Sequence, residues 1–158
     1  MKTKLLFFTL ITFLLGLNSC NTSYNTDFAP PAENPKFSDV YPEKINGLTN
    51  EVVGIEVDML GVEGNNAIYG NSNIVISAYQ ISTKEVADDF FKKEIVPVFE
   101  TMPVRSSGNI NGKWYASGKD GDKKAYGWVN SNWVFLITAD NEENFNAAIE
   151  AFKFITAK

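Results

Sequence analysis

Histidine is absent from this chain of 158 residues. That removes the commonest general base and the commonest metal ligand. It also excludes Ser-His and Cys-His nucleophile pairs. Cysteine occurs once, as Cys20, so no internal disulfide can form and a folded body must be held by its core. Arginine also occurs once, as Arg105. Its planar fork suits an anionic group, but a lone exposed arginine is the commoner situation. Gly-x-Gly-x-x-Gly, Gly-Lys-Ser/Thr and Ser-x-x-Lys phrases are all missing, and with them the usual phosphate cradles and a Ser-Lys nucleophile. No cofactor and no metal are expected.

Basic residues are outnumbered, 14 against 19. The chain lacks the basic footprint of nucleic-acid binding, so no nucleic-acid partner is expected. An acidic surface is also ill suited to lying on anionic lipid without an anchor. A hydrophobic content of 44% and an aromatic content of 13% place the body among globular chains, and the length suits one domain.

Lys2 and Lys4 precede an uncharged apolar run, Leu5 to Leu17. The run is well short of the roughly 20 residues that a bilayer-spanning helix needs. Its length suits the central region of a secretory signal. It ends in Leu17-Asn18-Ser19-Cys20. This leader resembles the type II signal peptide and lipobox of bacterial lipoproteins: leucine three before the cut, a small residue just before it, then cysteine. Asn18 departs from the usual alanine or serine, and it resembles lipoproteins of the Bacteroidetes group. The resemblance implies a signal peptide over residues 1–19 and diacylglycerol on the Cys20 thiol. Several acyl chains, palmitate among them, anchor stably where one is marginal. Asn21 after the cysteine, rather than aspartate, implies the outer membrane. The lack of acidic residues just beyond implies its periplasmic face. Loss of Lys2 and Lys4 would bring the net charge from −5 to −7.

Residues 20–40 are rich in Asn, Thr, Ser, Ala and Pro. They are expected to form a flexible linker holding a single globular domain, residues 41–158, off the membrane. Phe28 and Phe37 are the residues in it able to dock on that domain. Pro42-Glu43-Lys44-Ile45-Asn46-Gly47-Leu48 and Ala67-Ile68-Tyr69 resemble phrases in small uncharacterised bacterial envelope proteins, a likeness that implies no known activity.

Within the body, Val53, Ile55, Val57 and Met59 alternate with polar or small residues and predict a strand. Gly61, Gly64, Asn65 and Asn66 predict a loop. Ala67 to Gly70 and Ile74 to Ile81 predict a hairpin. Ser82 with Glu85 suits a capping box, and Val86, Phe90 and Ile95 mark a helix that Pro97 should kink or end. Strands follow at 107–110, 113–119, 123–129 and 133–139, with turns at Asn111-Gly112 and Asp120-Gly121. Asp140 with Glu143 suits a second capping box, and Phe145, Ile149, Phe152 and Ile155 mark the buried face of a closing helix. Asn71-Ser72-Asn73-Ile74-Val75 matches Asn130-Ser131-Asn132-Trp133-Val134. Two similar strand-hairpin-helix halves, or two hairpins alike by chance, account for this equally well. The expected architecture is α+β: a mostly antiparallel sheet with two main helices packed on one face and the other face open for binding.

Three features bear on chemistry. Asp120-Gly121-Asp122 has the opening of a calcium loop, but Lys123 and Lys124 follow, and a hairpin turn explains it better. Asp58 with Glu63, and Asp88 with Asp89, offer carboxylate pairs for glycoside hydrolysis, provided they face one another in a cleft at about 5–10 Å. Solvated strand and helix faces explain them as well. Trp114, Tyr126 and Trp128 lie on neighbouring strands, with Tyr126 and Trp128 on one face. They are candidate ligand-binding residues; a core role is the alternative. The expectation is a membrane-tethered, non-catalytic binding or accessory lipoprotein of the bacterial cell envelope, its partner an envelope protein or an apolar or glycan ligand. The alternatives are a small carboxylate-dependent hydrolase acting on envelope glycans, and a purely structural envelope protein.

Overall fold

A computed structural model describes residues 24–32 and 35–158. The leader and Cys20 lie outside the described residues. The body is α+β, as expected. Eight strands form one antiparallel sheet in the order β2-β3-β4-β5-β9-β8-β7-β6. They are β2 (Lys44–Ile45), β3 (Leu48–Ile55), β4 (Val62–Tyr69), β5 (Ile74–Ile81), β6 (Val104–Ile110), β7 (Lys113–Asp120), β8 (Lys123–Asn130) and β9 (Trp133–Ala139). Two short strands, β1 (Tyr24–Asn25) and β10 (Thr156–Ala157), pair with each other. A helical rod consists of α1 (Lys84–Phe90), a wide turn (Phe91–Ile95) and α2 (Val96–Glu100). A second helix, α3, spans Glu142–Ala151.

Two meanders meet at the centre, where β5 pairs with β9 from Ile74↔Ala139 to Gln80↔Trp133. Alternation along these strands separates two cores. Ile74, Ile76, Ala78, Trp133, Phe135 and Ile137 point to the first face. Ile81, Val134 and Leu136 point to the second. The helices do not share a face, which corrects the sequence expectation. Phe145, Ala148 and Ile149 of α3 bury into the first core, whereas Ala87, Phe90, Phe91, Ile95 and Phe99 of the rod bury into the second.

The reason lies in the length of one strand. Counted from the matching Asn-Ser-Asn phrases, β5 runs from Ile74 to Ile81 and β9 from Trp133 to Ala139, so β5 is one residue longer. Each then takes two residues to reach its helix. One residue more or less flips the face to which a strand's last side chain points. Ile81 ends in the second core and Ala139 in the first, and each helix docks where its strand ended. The two halves are thus alike as hairpins and unlike as strand-helix units.

Local chemistry explains most element ends. The caps fall one residue beyond the expected boxes. Thr83 Oγ1 accepts from the Val86 amide at 3.3 Å, and Asn141 Oδ1 accepts from the Asn144 amide at 2.8 Å, each satisfying a free donor of the first turn. Pro97 neither ends nor breaks the rod, because the wide turn just before it makes room for a residue without an amide hydrogen. Asn111-Gly112 and Asn46-Gly47 both have positive φ, 52° and 81° in one pair and 49° and 78° in the other. That is the two-residue hairpin geometry which Asn-Gly favours. Asp120 pairs with Lys123, so Gly121 and Asp122 form that turn.

Two expectations in the first half do not hold. The strand ends at Ile55, and Val57 and Met59 belong to the following loop, where both pack on the second core. Gly64, Asn65 and Asn66 lie inside β4. Gly64 is there for space: a Cβ on it would stand 2.7 Å from the ring of Tyr79 on the next strand.

Within the expected linker, several of the described residues contact the body. β1 pairs with β10, and Tyr24 meets Tyr126 edge-on at 4.7 Å. The Phe28 carbonyl accepts from Asn130 Nδ2 at 2.9 Å, and Phe37 packs on Trp133. Val40 and Tyr41 are buried. Residues 24–32 and 35–41 thus pack against the body.

Candidate functional site

The sequence-derived aromatic row has two positions in the core. Trp128 is fully buried and Tyr126 is 5% exposed. Trp128 contacts Phe135 at 5.1 Å and Phe152 at 6.1 Å. Tyr126 sits among Tyr24, Tyr115 and Trp128. Burial pushes the Tyr126 phenol up from its ordinary value. These rings lie beneath α3 and residues 24–32 and 35–41, so they present no surface to a ligand. Trp114 points to the opposite face, half-buried against the second core, with the Lys92 ammonium 4.6 Å above its ring. Alternation had put Tyr126 and Trp128 on one side correctly; which side was covered depended on α3 and the N-terminal segment.

The carboxylate pairs fare differently from each other. Asp88 bonds Lys84 at 2.7 Å, and Asp89 lies 3.9 Å from Lys92, so both are drawn along the helix surface. Asp58 and Glu63 line one open groove, together with Met59, Leu60, Gln80, Ile81 and Asn132.

A hollow of about 330 Å³ with a partly apolar lining lies on the second face. The rod packs over β7, β8 and β9, where Gly118 and Gly127 let Phe99 and Ile95 approach. It reaches β5 only through α1, where Phe90 meets Tyr79, and it leaves β3 and β4 without a helix on that side. The floor of the hollow is Ile55, Tyr79 and Leu136. Phe90, Glu94, Ile95 and Val98 of the rod form one wall, and residues 56–59 form the other. Val57, Asp58 and Met59 also line the neighbouring groove, so the loop separates two connected depressions. Tyr79 lies across Gly64, with Phe90 behind it at 4.9 Å. Burial raises the Tyr79 phenol above its ordinary value, so at neutral pH it is an uncharged hydroxyl. Deeper on this face, Ser77 donates to Asn66 Oδ1 at 2.7 Å.

This arrangement can hold an apolar body of small size beside negative charge. Sequence reading missed it because its residues come from β3, the following loop, β5, the rod and β9. The available signal was apolar Val57 and Met59 alternating with the exposed acids Glu56 and Asp58. Among the described residues, no helix is long and apolar enough to cross a membrane.

No protein-family model matches the chain, and no curated protein does. Among solved structures, the chain is similar to a GTP binding regulator from Thermotoga maritima, at 18% identity and a TM-score of 0.45, over 70% of this chain and 81% of that one.

Proposed function

We propose that this chain is a membrane-tethered, non-catalytic binding or accessory lipoprotein of the bacterial cell envelope. The single observation supporting binding is the hollow between the rod and residues 56–59, a partly apolar concavity floored by Ile55, Tyr79 and Leu136. Pockets of about this volume and lining are the usual form of small-ligand sites. The tether rests on the leader and Cys20. Because β1 begins at Tyr24, four Cα steps from Cys20 reach at most about 15 Å. A lipid on Cys20 would thus hold the folded body close to the bilayer, in contrast to the expected spacer.

The test is a pair of measurements in cells on the full-length chain. An alkyne-palmitate label should appear on the wild type and vanish with Cys20→Ala, which should also leave the membrane fraction. Crosslinking with mass spectrometry should then enrich a ligand or partner in the wild type and lose it with Val98→Lys, which places charge at the mouth of the hollow. Persistence of the label in Cys20→Ala would sink the tether. Enrichment indifferent to Val98→Lys would sink the site.

A carboxylate hydrolase remains the second reading because Asp58 and Glu63 share a groove. It requires glycan cleavage abolished by Asp58→Asn and by Glu63→Gln separately. Cleavage that survives either change removes it.

A further inference from the structure

The lining of the hollow has a chemistry that the fold does not need. Glu56, Asp58 and Glu94 line it, and no lysine or arginine does. Among the described residues none of the three takes part in an ion pair; the pairs join Lys84 to Asp88, Lys92 to Asp89, Lys113 to Asp27 and Lys124 to Glu142. The same hollow presents the partly exposed Tyr79 ring and the Met59 thioether. Aromatic faces attract cations through the ring quadrupole, and partial desolvation strengthens the attraction. Unpaired carboxylates add a field of the same sense. The apolar remainder, Ile55, Val57, Ile95, Val98 and Leu136, would leave a bare metal ion short of oxygen ligands. It would instead welcome hydrocarbon.

We propose that the cleft binds a small organic cation with an apolar body, an alkylated or quaternary ammonium attached to an aromatic or branched hydrocarbon group. The proposal rests on the binding reading above and names the ligand class. The volume of about 330 Å³ corresponds to roughly eleven non-hydrogen atoms, taking water's share of about 30 Å³ for each. The cationic head sits over Tyr79 near Glu94 and Asp58, and the hydrocarbon lies against Leu136 and Ile95. Gly64 is a positioning residue, because it lets the Tyr79 ring lie flat.

The test uses the full chain in micelles of an uncharged maltoside detergent, with empty micelles subtracted, and three probes of one shape: benzyltrimethylammonium, phenylmethanesulfonate and benzyl alcohol. Calorimetry and methyl NMR shifts of Leu136 and Ile95 report binding. The cation should bind at least tenfold more tightly than the anion and more tightly than the alcohol. Tyr79→Leu should weaken it about tenfold, and Val98→Lys, at an exposed helix position, by at least as much with the fold unchanged. Binding of all three probes with equal affinity would overturn the cationic class and leave the hollow as a site. Silence at Leu136 and Ile95 with every probe would overturn both this inference and the binding reading. Cation binding that ignores Val98→Lys would place the cation elsewhere and overturn the proposal.

Discussion

The first face of the sheet is covered over its central strands by α3 and by irregular chain, whereas the second carries the rod and only the loop residues Val57 and Met59 beside it; the edge strands β3 and β6 are largely exposed. On the first, α3 lies on β8 and β9, residues 24–32 and 35–41 pack beside it with β10, and Phe152, Phe154 and Ile155 fill the gap after α3. On the second the rod is the only helical cover. Eight strands about 4.8 Å apart make a sheet about 34 Å wide, and one helix with its side chains is about 10–12 Å across. One helix cannot cover such a sheet. The first face eases the problem with irregular chain, and the second leaves it unsolved over β3 and β4. The difference teaches that the open area follows from counting elements against width, and that the N-terminal segment is a structural part of the covered face.

The sharpest way to break this comparison is to truncate one large ring on each face. Trp128→Ala should cost about 3–5 kcal/mol, as expected for a fully buried aromatic, measured by urea unfolding. The Trp128 indole N–H is buried and has no acceptor among the described residues, so Trp128→Phe should lose far less than the alanine, since no hydrogen bond among them is given up. Tyr79→Ala, on the open face, should cost under half as much as Trp128→Ala. Equal losses from Trp128→Ala and Tyr79→Ala would mean the two faces carry equal weight.

Next in size are the helix caps. Asn141→Ala and Thr83→Ala should each cost about 1 kcal/mol. Asn141 should cost more, because its hydrogen bond is 2.8 Å against 3.3 Å for Thr83. α3 also holds the face on which more of the core depends. Thermal midpoints read in parallel would show the order, and a reversed order would argue that the rod is the principal helix.

These predictions also mark where sequence was enough. The strands from Val104 to Ala139 were nearly legible, because Asn111-Gly112 fixes one hairpin and clean alternation fixes the rest. Asn46-Gly47 carried the same signal for the β2–β3 hairpin but was read only as part of a phrase. Val53 to Met59 misled because a loop that packs its apolar residues on a core keeps the alternation of a strand. Gly64-Asn65-Asn66 misled because the need for glycine arises on the neighbouring strand, at Tyr79. The face chosen by each helix turned on one residue of strand length, below the precision with which pattern marks an end. The core status of Tyr126 and Trp128 depended on residues 24–32 and 35–41, which have no period to read.

Acid should separate the faces as well. Asp140, at the start of α3, accepts from Asn144 Nδ2 at 2.8 Å and from Asn73 Nδ2 at 2.7 Å. The Asn144 bond, followed by the Asn73 bond, holds its carboxyl below the ordinary 3.8. A carboxylate depressed in the folded state stabilises above its unfolded pKa, and that contribution is lost as pH falls through the folded value. Wild type should therefore exceed Asp140→Asn in urea midpoint at pH 6, and the gap should close as pH falls below 3.8. A gap that stays constant with pH would show that the asparagine substitution acts through shape alone.

The smallest effect belongs to the loop between β3 and β4. Leu60 is 99% exposed, although Val57 and Met59 beside it pack inward. A side chain in full contact with water contributes nothing to the core, so Leu60→Ser should change stability by less than about 0.5 kcal/mol. Met59→Ser, one residue away, should cost more, since it withdraws an apolar anchor from the second core. If Leu60→Ser destabilises as much as Met59→Ser, the loop closes onto the sheet in solution, and the second face is better covered than its helix alone allows. If it does not, the wall of the hollow is held by Val57 and Met59 only, and the open part of the sheet stays open without a ligand.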